Sequence, residues 1–163
     1  MTLLRPIEAR DHARVLDLNA RNVALLAPMD ESRLIQLLSW ADHGDVIEYD
    51  ERVVGFVFTF APGTAYDSEN YRWFAERYDD FYYLDRIVLD DDVRRLGLGR
   101  RVYADLEDVA RDHGRMVLEV NLDPPNEPSL AFHRSRGYAE VAELGTDGKT
   151  VLLMEKSLPR LTA

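Results

Sequence analysis

Between Phe81 and His113 the chain reads as a strand, a glycine-containing loop and a helix in direct succession. Phe81–Leu89 is a β-rich run, and Asp90-Asp91-Asp92 is an acidic turn. From Leu98 onward Val102, Leu106, Val109 and Ala110 recur at helical spacing until Gly114 stops the pattern. A strand feeding a helix through so short a loop commits the chain to a sheet with that helix packed on it. The first N–H groups of a helix have no intrahelical partner and carry partial positive charge. Gly97 and Gly99 remove Cβ atoms that would keep an anion away from that backbone. Arg94, Arg95, Arg100 and Arg101 flank the loop in a chain whose net charge is −10. Guanidinium groups pair with phosphate through forked hydrogen bonds, so an anion site is expected here. Gly-x-Gly by itself often serves only a tight turn, and arginines on a helix often only a solvated face.

The other elements follow from the same periodicities. Thr2–Ile7 is a short opening strand, and Asp11 precedes an apolar-periodic run from Ala13 to Leu26 that predicts a helix with Asp11 as its Asx cap. A second helix is predicted over Glu31–Ala41. Val46–Tyr49 and Arg52–Phe60 form a hairpin through Asp50-Glu51. Glu69–Tyr78 is a short helix within an aromatic tract that begins at Thr64. Met116–Val120 is a strand, Glu127–Arg136 a helix ended by Gly137, and Tyr138–Leu144 and Thr150–Lys156 are strands joined by a turn around Gly145–Gly148. The order βααββ(α)βαβαββ predicts an α/β protein: one mixed central sheet of about six to seven strands with helices on both faces. The chain is read as a single domain over 1–163.

Composition narrows the function. Thirty acidic against 20 basic residues argue against a nucleic-acid surface, because phosphates would be repelled by most of the molecule. There are no cysteines, which removes disulfides, thiolate metal sites and a cysteine nucleophile and suits a cytoplasmic location. No run approaches the roughly 18 apolar residues of a membrane span. Four scattered histidines lack metal-ligand spacing, so no metal is expected. Ser129 and His133 lie four apart without an acid or a nucleophile elbow, which argues against hydrolase chemistry. The glycine loop lacks the Gly-Lys-Ser/Thr of a P-loop. Val102 stands where a dinucleotide fingerprint has its third glycine, yet Glu119 follows about 20 residues on, so a nucleotide-binding oxidoreductase stays as a rival.

Arg94-x-x-Gly97-x-Gly99 after a strand resembles the Q/R-x-x-G-x-G/A acetyl-CoA motif of the GNAT acetyltransferases. Downstream, Asn126-x-x-Ser129-x-x-Phe132-His133-x-x-x-Gly137-Tyr138 resembles that family's N-x-x-(A/S)-x-x-F-Y-x-x-x-G-F motif. The two motifs stand in family order with a strand between them, and the resemblance covers essentially the whole chain. The tract Tyr66-x-Ser68-x-Asn70-Tyr71-x-Trp73-Phe74, with Tyr83-x-Asp85-Arg86, is similar to a bacterial group known chiefly as predicted acetyltransferases.

The resemblance implies acetyl transfer from acetyl-CoA to an amine by direct attack, without a metal or a covalent enzyme intermediate. Ile87, Val88 and Leu89 would bond the pantetheine arm as an added strand. Amides of Arg94, Arg95, Leu96, Gly97, Leu98, Gly99 and Arg100 would hold the pyrophosphate, and Asn126 and Ser129 would contact the arm. The oxyanion donor would be a strand amide, that of Val88. The family often places a tyrosine at the position of His133, where it protonates the departing thiolate; His133 would take that role or only bond the cofactor. A non-catalytic acyl-CoA-binding domain is the alternative that this departure leaves open. Most amines are protonated at neutral pH, so a base is needed. An acid in an apolar strand requires a partner or a task, which makes Asp85 the first candidate, with a salt bridge as the plainer reading, and Glu119 the second. Simple alternation would put Tyr83, Asp85 and Ile87 on one face and Tyr82, Leu84 and Arg86 on the other. On the acceptor side Asn70, Tyr71 and Tyr83 are the candidates, with Trp73 and Phe74 expected to pack. The acceptor would be a small-molecule amine or a peptide N-terminus, and the family's habit of dimerising makes a homodimer an expectation.

Overall fold

The computed structural model describes residues 3–146 and 148–160. The expected strand residue Thr2 and the turn residue Asp147 lie outside them. Seven strands form one sheet in the order β1-β2-β3-β4-β5-β7-β6. They are β1 (Leu4–Pro6), β2 (His43–Tyr49), β3 (Arg52–Phe60), β4 (Tyr82–Leu89), β5 (Arg115–Asp123), β6 (Ala139–Thr146) and β7 (Lys149–Ser157). The helices are α1 (His12–Arg21), α2 (Glu31–Trp40), α3 (Glu69–Arg77), α4 (Leu98–Ala110) and α5 (Glu127–Ser135). All neighbouring strands run antiparallel except β4 and β5. The predicted mixed sheet with helices on both faces is the observed architecture.

Two cores sit on the two faces. Val15, Leu18, Leu34, Leu37, Tyr71 and Phe74 pack α1, α2 and α3 on one face, against Phe56, Phe58, Phe60 and Tyr83. Leu98, Val102, Leu106, Ala110 and Leu130 pack α4 and α5 on the other, against Tyr82, Leu84, Met116 and Leu118. The Asx cap expected of Asp11 is absent: its carboxylate accepts from the Glu8 amide at 2.8 Å and from Arg5 at 2.7 Å, and it caps no α1 amide; α2 and α3 do carry side-chain caps. Asp30 accepts from the Arg33 amide at 2.7 Å, and Ser68 from that of Tyr71 at 3.2 Å. Asp50 and Glu51 both take positive φ, 52° and 62°, as a two-residue hairpin turn requires. The first helix is shorter than its apolar periodicity suggests. It ends at Arg21, where Asn22 donates back to the Leu18 carbonyl at 2.8 Å and competes with continued helix. Leu25 and Leu26 therefore sit in a loop, not on a buried helical face.

Two irregularities of β4 place the site. Against β3, Phe58 faces Arg86 but Thr59 faces Leu84, so Asp85 is an extra residue, a β-bulge. The strict alternation expected for this strand fails there. Beyond the bulge Val88 packs with Tyr83 on the face of α1–α3, while Ile87 and Leu89 join Tyr82 and Leu84 on the face of α4. Against β5, only Tyr82↔Met116 and Tyr83↔Val117 are paired. Past those two rungs the strands part and leave inner edges facing a gap.

Candidate active site

The gap between β4 and β5 is the floor of a cleft of about 540 Å³ that reaches both faces of the sheet. From the α4–α5 face it is lined by Tyr103, Asn126, Ser129 and His133. From the α1–α3 face it is lined by Asp85, Arg86, Glu119, Tyr66 and Asn70, and by the α1–α2 loop at Leu25–Pro28. The bulge turns Asp85 and Arg86 toward the opening, and the parting of the strands lets the half-buried Glu119 line it.

Glu119 and Asp85, the two candidate bases, have unlike surroundings. Asp85 accepts from Arg86 Nε at 2.7 Å and from the Tyr66 hydroxyl at 2.6 Å. Arg86 is itself buried, and its Nη1 also donates to Asn19 Oδ1 at 3.1 Å. The plainer expectation for Asp85, a salt bridge, is therefore what the structure contains. Among the described residues Glu119 has no cationic partner; its Oε2 accepts from the Tyr83 hydroxyl at 2.6 Å. Burial pushes the Glu119 carboxyl up to about 8, and the charge of Asp85 pushes the same way. Hydrogen bonds from Tyr83 and Asn70 and the charge of Arg86 pull it back only in part. A carboxyl in that range gives and takes protons near neutral pH.

His133 is buried, with 6% exposure, between α4 and α5. Its Nδ1 lies 2.7 Å from the Ser129 carbonyl and 3.2 Å from Ser129 Oγ, and its Nε2 lies 2.6 Å from the Tyr103 hydroxyl. Burial lowers the imidazole pKa, so the ring is neutral at pH 7. A carbonyl only accepts, which assigns the ring proton to Nδ1 and leaves Nε2 to accept from Tyr103.

The glycine loop has the form an anion requires. Gly97 takes φ +77° at the N-terminus of α4 and, as its N-cap, has no side chain to cap that end of the helix. The first helical bond there runs from the Arg101 amide to the Gly97 carbonyl at 3.2 Å, so the amides of Leu98, Gly99 and Arg100 come before it. Arg95 also has positive φ, and Leu96 is half exposed at the tip. Arg94 pairs with Asp91 at 2.9 Å. The uncapped amides and the arginines fit a pyrophosphate, and the open edge of β4 fits an extended amide-bearing arm.

Of the cofactor-side residues, Ile87, Val88, Asn126, Ser129 and His133 line the cleft, whereas Leu89 and Arg94–Arg100 lie beyond its end. Asn126 caps α5, accepting from the Ser129 amide at 3.4 Å. The expected oxyanion donor needs correction. The Asp90 amide donates to the Val54 carbonyl, so Asp90 and Val54 are a hydrogen-bonded pair of the β3–β4 ladder. Such pairs alternate along antiparallel strands, so Val88 also turns its amide to β3, and Ile87 and Leu89 turn theirs to the gap. Among the acceptor candidates Asn70 lines the cleft; Tyr83 reaches it only through Glu119. Tyr71 is buried and donates to the Ala61 carbonyl at 2.8 Å, which makes it a packing residue, as Phe74 is. Tyr66, which opens the aromatic tract expected on the acceptor side, lines the cleft; sequence reasoning missed Tyr103 and Asn19. The signal for Tyr103 was a hydroxyl next to Val102 on the buried face of α4; for Asn19, a polar residue amid the apolar positions of α1.

Among the described residues no group of three or more His, Asp or Glu could hold a metal ion. No helix there is long and apolar enough to cross a membrane. No curated protein sequence matches the chain. Solved structures do. Naa20 of Chaetomium thermophilum, in complex with a bisubstrate analogue, aligns with a TM-score of 0.76 at 17% identity over 96% of this chain and 87% of that one. Ard1 of Thermoplasma volcanium gives 0.72 at 17% over 95% and 96%. The ribosomal-protein-S18-alanine N-acetyltransferase of Escherichia coli gives 0.70 at 19% over 99% and 97%. At such identities the likeness is one of fold. The model of the acetyltransferase (GNAT) family matches residues 12–138, from the start of α1 through both motifs, and the chain therefore belongs to the GNAT acetyltransferase family.

Proposed function

We propose that the chain, acting as one catalytic domain, moves an acetyl group from acetyl-CoA to an amine by direct attack in a ternary complex, with Glu119 as the base. The observation that carries this reading is the position of Glu119: without a cationic partner among the described residues, raised to about 8, and on the acceptor side of the gap that opens onto the anion loop. The amides of Leu98, Gly99 and Arg100 with Arg95 and Arg100 hold the pyrophosphate of acetyl-CoA. The inner edge of β4 at Ile87 and Leu89 bonds the pantetheine arm, and the Ile87 amide stabilises the oxyanion. Glu119 takes the proton of the incoming ammonium, through one water where the amine stands off. Asp85, held by Arg86 and Tyr66, keeps Glu119 basic and orders the acceptor wall.

The acceptor is a peptide N-terminus or a small amine entering between the α1–α2 loop and β6–β7, where Leu144, Lys149 and Val151 form the opposite rim. Proteins of the same fold are N-acetyltransferases whose names specify a protein alanine, which supports the peptide class. The test is titration calorimetry with acetyl-CoA, with NADH as control, followed by thiol-release assays on peptides with free N-termini and on small amines. Binding of acetyl-CoA with thiol release supports the reading. Binding without release from any amine returns the chain to an acyl-CoA-binding role, and binding of NADH alone overturns the cofactor.

A further inference from the structure

The acceptor side of the cleft is bordered by three cations, Arg33, Arg86 and Lys149, in a chain whose net charge is −10. Two of them are accounted for. Arg33 forks onto Asp67 at 2.6 and 3.0 Å and also donates to Gln36 Oε1 at 2.6 Å, and Lys149 is exposed on the outer rim. Arg86 stands inside, 8% exposed, next to the bulge of β4. Its Nε donates to Asp85 at 2.7 Å and its Nη1 to Asn19 Oδ1 at 3.1 Å, whereas Nη2 makes no hydrogen bond to a described residue. Among those residues the side-chain atoms both sealed from solvent and unpaired are Thr64 Oγ1 and Arg115 Nε. Arg86 Nη2 is therefore not sealed: its N–H groups reach open space, and the space that Arg86 borders is the cleft.

A charged donor so placed is costly to leave unmet. An acceptor that enters and excludes water must bring it an oxygen or strand its N–H groups. Glu119 lies on β5, across the gap from Arg86 on β4, and the charge of Arg86 acts on its carboxyl. An α-amino carbonyl compound carries its nitrogen and its oxygen on adjacent carbons, so it can present one to Glu119 and the other to Arg86. A plain alkylamine or a lysine side chain has no such oxygen. Asp85 already neutralises Arg86, so a neutral amide carbonyl adds no charge to the buried pair, whereas a carboxylate adds one.

We propose that Arg86 determines acceptor specificity: its Nη2 donates to the carbonyl oxygen next to the reacting amine, which restricts the acceptor to α-amino carbonyl compounds and favours the amide of a peptide N-terminus. The inference rests on the acetyl-transfer reading above. Asn19 is the positioning residue. It takes Nη1 of Arg86 and donates to the Ala27 carbonyl at 3.0 Å, so it orients the guanidinium and ties it to the α1–α2 loop that forms one rim of the cleft.

The test uses the full chain with acetyl-CoA and three acceptors that share an amine-bearing carbon and its methyl group: alaninamide, alanine and isopropylamine, in which a second methyl replaces the carbonyl group. Rates are referred to the neutral amine present. Wild type is expected to show kcat/KM for alaninamide at least about tenfold above that for isopropylamine. Arg86→Met is expected to erase that margin, chiefly by raising the alaninamide KM. The single variant leaves the Asp85 charge without its partner, so Asp85→Asn/Arg86→Met, which removes both charges, carries the test if the single variant does not fold. Either variant alters the surroundings of Glu119 for every acceptor alike, so the readout is the ratio between acceptors and not the absolute rate. Alaninamide in the lead assigns the oxygen to a peptide amide; alanine in the lead keeps the role of Arg86 and makes the acceptor a free amino acid. Isopropylamine equal to alaninamide in wild type, or a margin that survives in the variants, overturns this inference alone. Wild-type protein that binds acetyl-CoA and releases no thiol with any amine overturns this inference and the proposed function together.

Discussion

Asp85→Asn separates the two carboxylates of the cleft because the two assignments predict changes of opposite sign. With Glu119 at about 8, roughly one chain in eleven carries it ionised at pH 7. Burial is the larger cause of that shift and the charge of Asp85 the next. Replacing Asp85 by Asn removes the like charge and leaves the charge of Arg86 uncompensated nearby, so Glu119 ionises at lower pH. A fall of one unit, about 1.4 kcal/mol, brings Glu119 to about half-ionised at pH 7, a gain of roughly fivefold in the competent form. The Asn oxygen still accepts from Arg86 Nε or Tyr66, although breaking the buried ion pair costs on the order of 3–5 kcal/mol of stability. Assays therefore belong well below the variant's melting point. The measurement is kcat/KM from about pH 5.5 to 9.5 with one amine acceptor, wild type against variant. The acid limb is expected to move to lower pH, with the rate at pH 7 equal to or above wild type. A limb that stays in place while the rate falls by the roughly 10²- to 10⁴-fold typical of a lost base would make Asp85 the base and refute the argument.

Glu119→Gln is expected to lower kcat by about 10²- to 10⁴-fold at every pH. The same variant gains thermal stability relative to wild type as pH rises. Between the ordinary glutamate pKa and about 8 the native state holds a proton that the unfolded chain has lost, so wild-type stability declines through that window and the Gln variant's does not. Melting temperatures at pH 5 and pH 9 check the sign. Asn19→Asp keeps the acceptor for Arg86 but loses the donor to the Ala27 carbonyl at 3.0 Å, so the acceptor KM is expected to rise severalfold with acetyl-CoA affinity unchanged. Gly55→Ala would set a Cβ 2.1 Å from the Val88 carbonyl, a backbone atom that cannot move aside, and is expected to cost about 3 kcal/mol or more in a denaturant titration.

The parts of this architecture legible in sequence are those set locally. The strand, loop and helix from Phe81 to Gly114, the hairpin at Asp50-Glu51 and the start of α2 after Asp30 each depend on a few adjacent residues, and each stands as read. What escaped depends on register. Nothing in Leu84-Asp85-Arg86 announces that Phe58 will face Arg86 and Thr59 face Leu84, yet that slip decides which amides turn to the gap and which side chains share a face. Tyr103 and His133 are 30 residues apart, and their 2.6 Å contact exists only because α4 and α5 pack side by side. The unequal roles of Asp85 and Glu119 likewise arise from the fold, which gives Arg86 to one and withholds it from the other.

The two-rung junction of β4 and β5 also bears on how the molecule comes apart. Backbone bonding treats the sheet as two separately laddered panels, β1–β4 and β5–β7–β6, basted together at Tyr82 and Tyr83, with the packed helices and side-chain bonds such as Tyr83–Glu119 as further stitching. Fluctuations that spread the panels cost fewer hydrogen bonds than any other split of the sheet, so amide exchange should find its easiest collective opening along this line. An occupant of the gap that bonds to the free edge of β4 adds rungs where the ladder has none. Its binding energy is then also mechanical reinforcement, and slower exchange in both panels would register its arrival far from the point of contact.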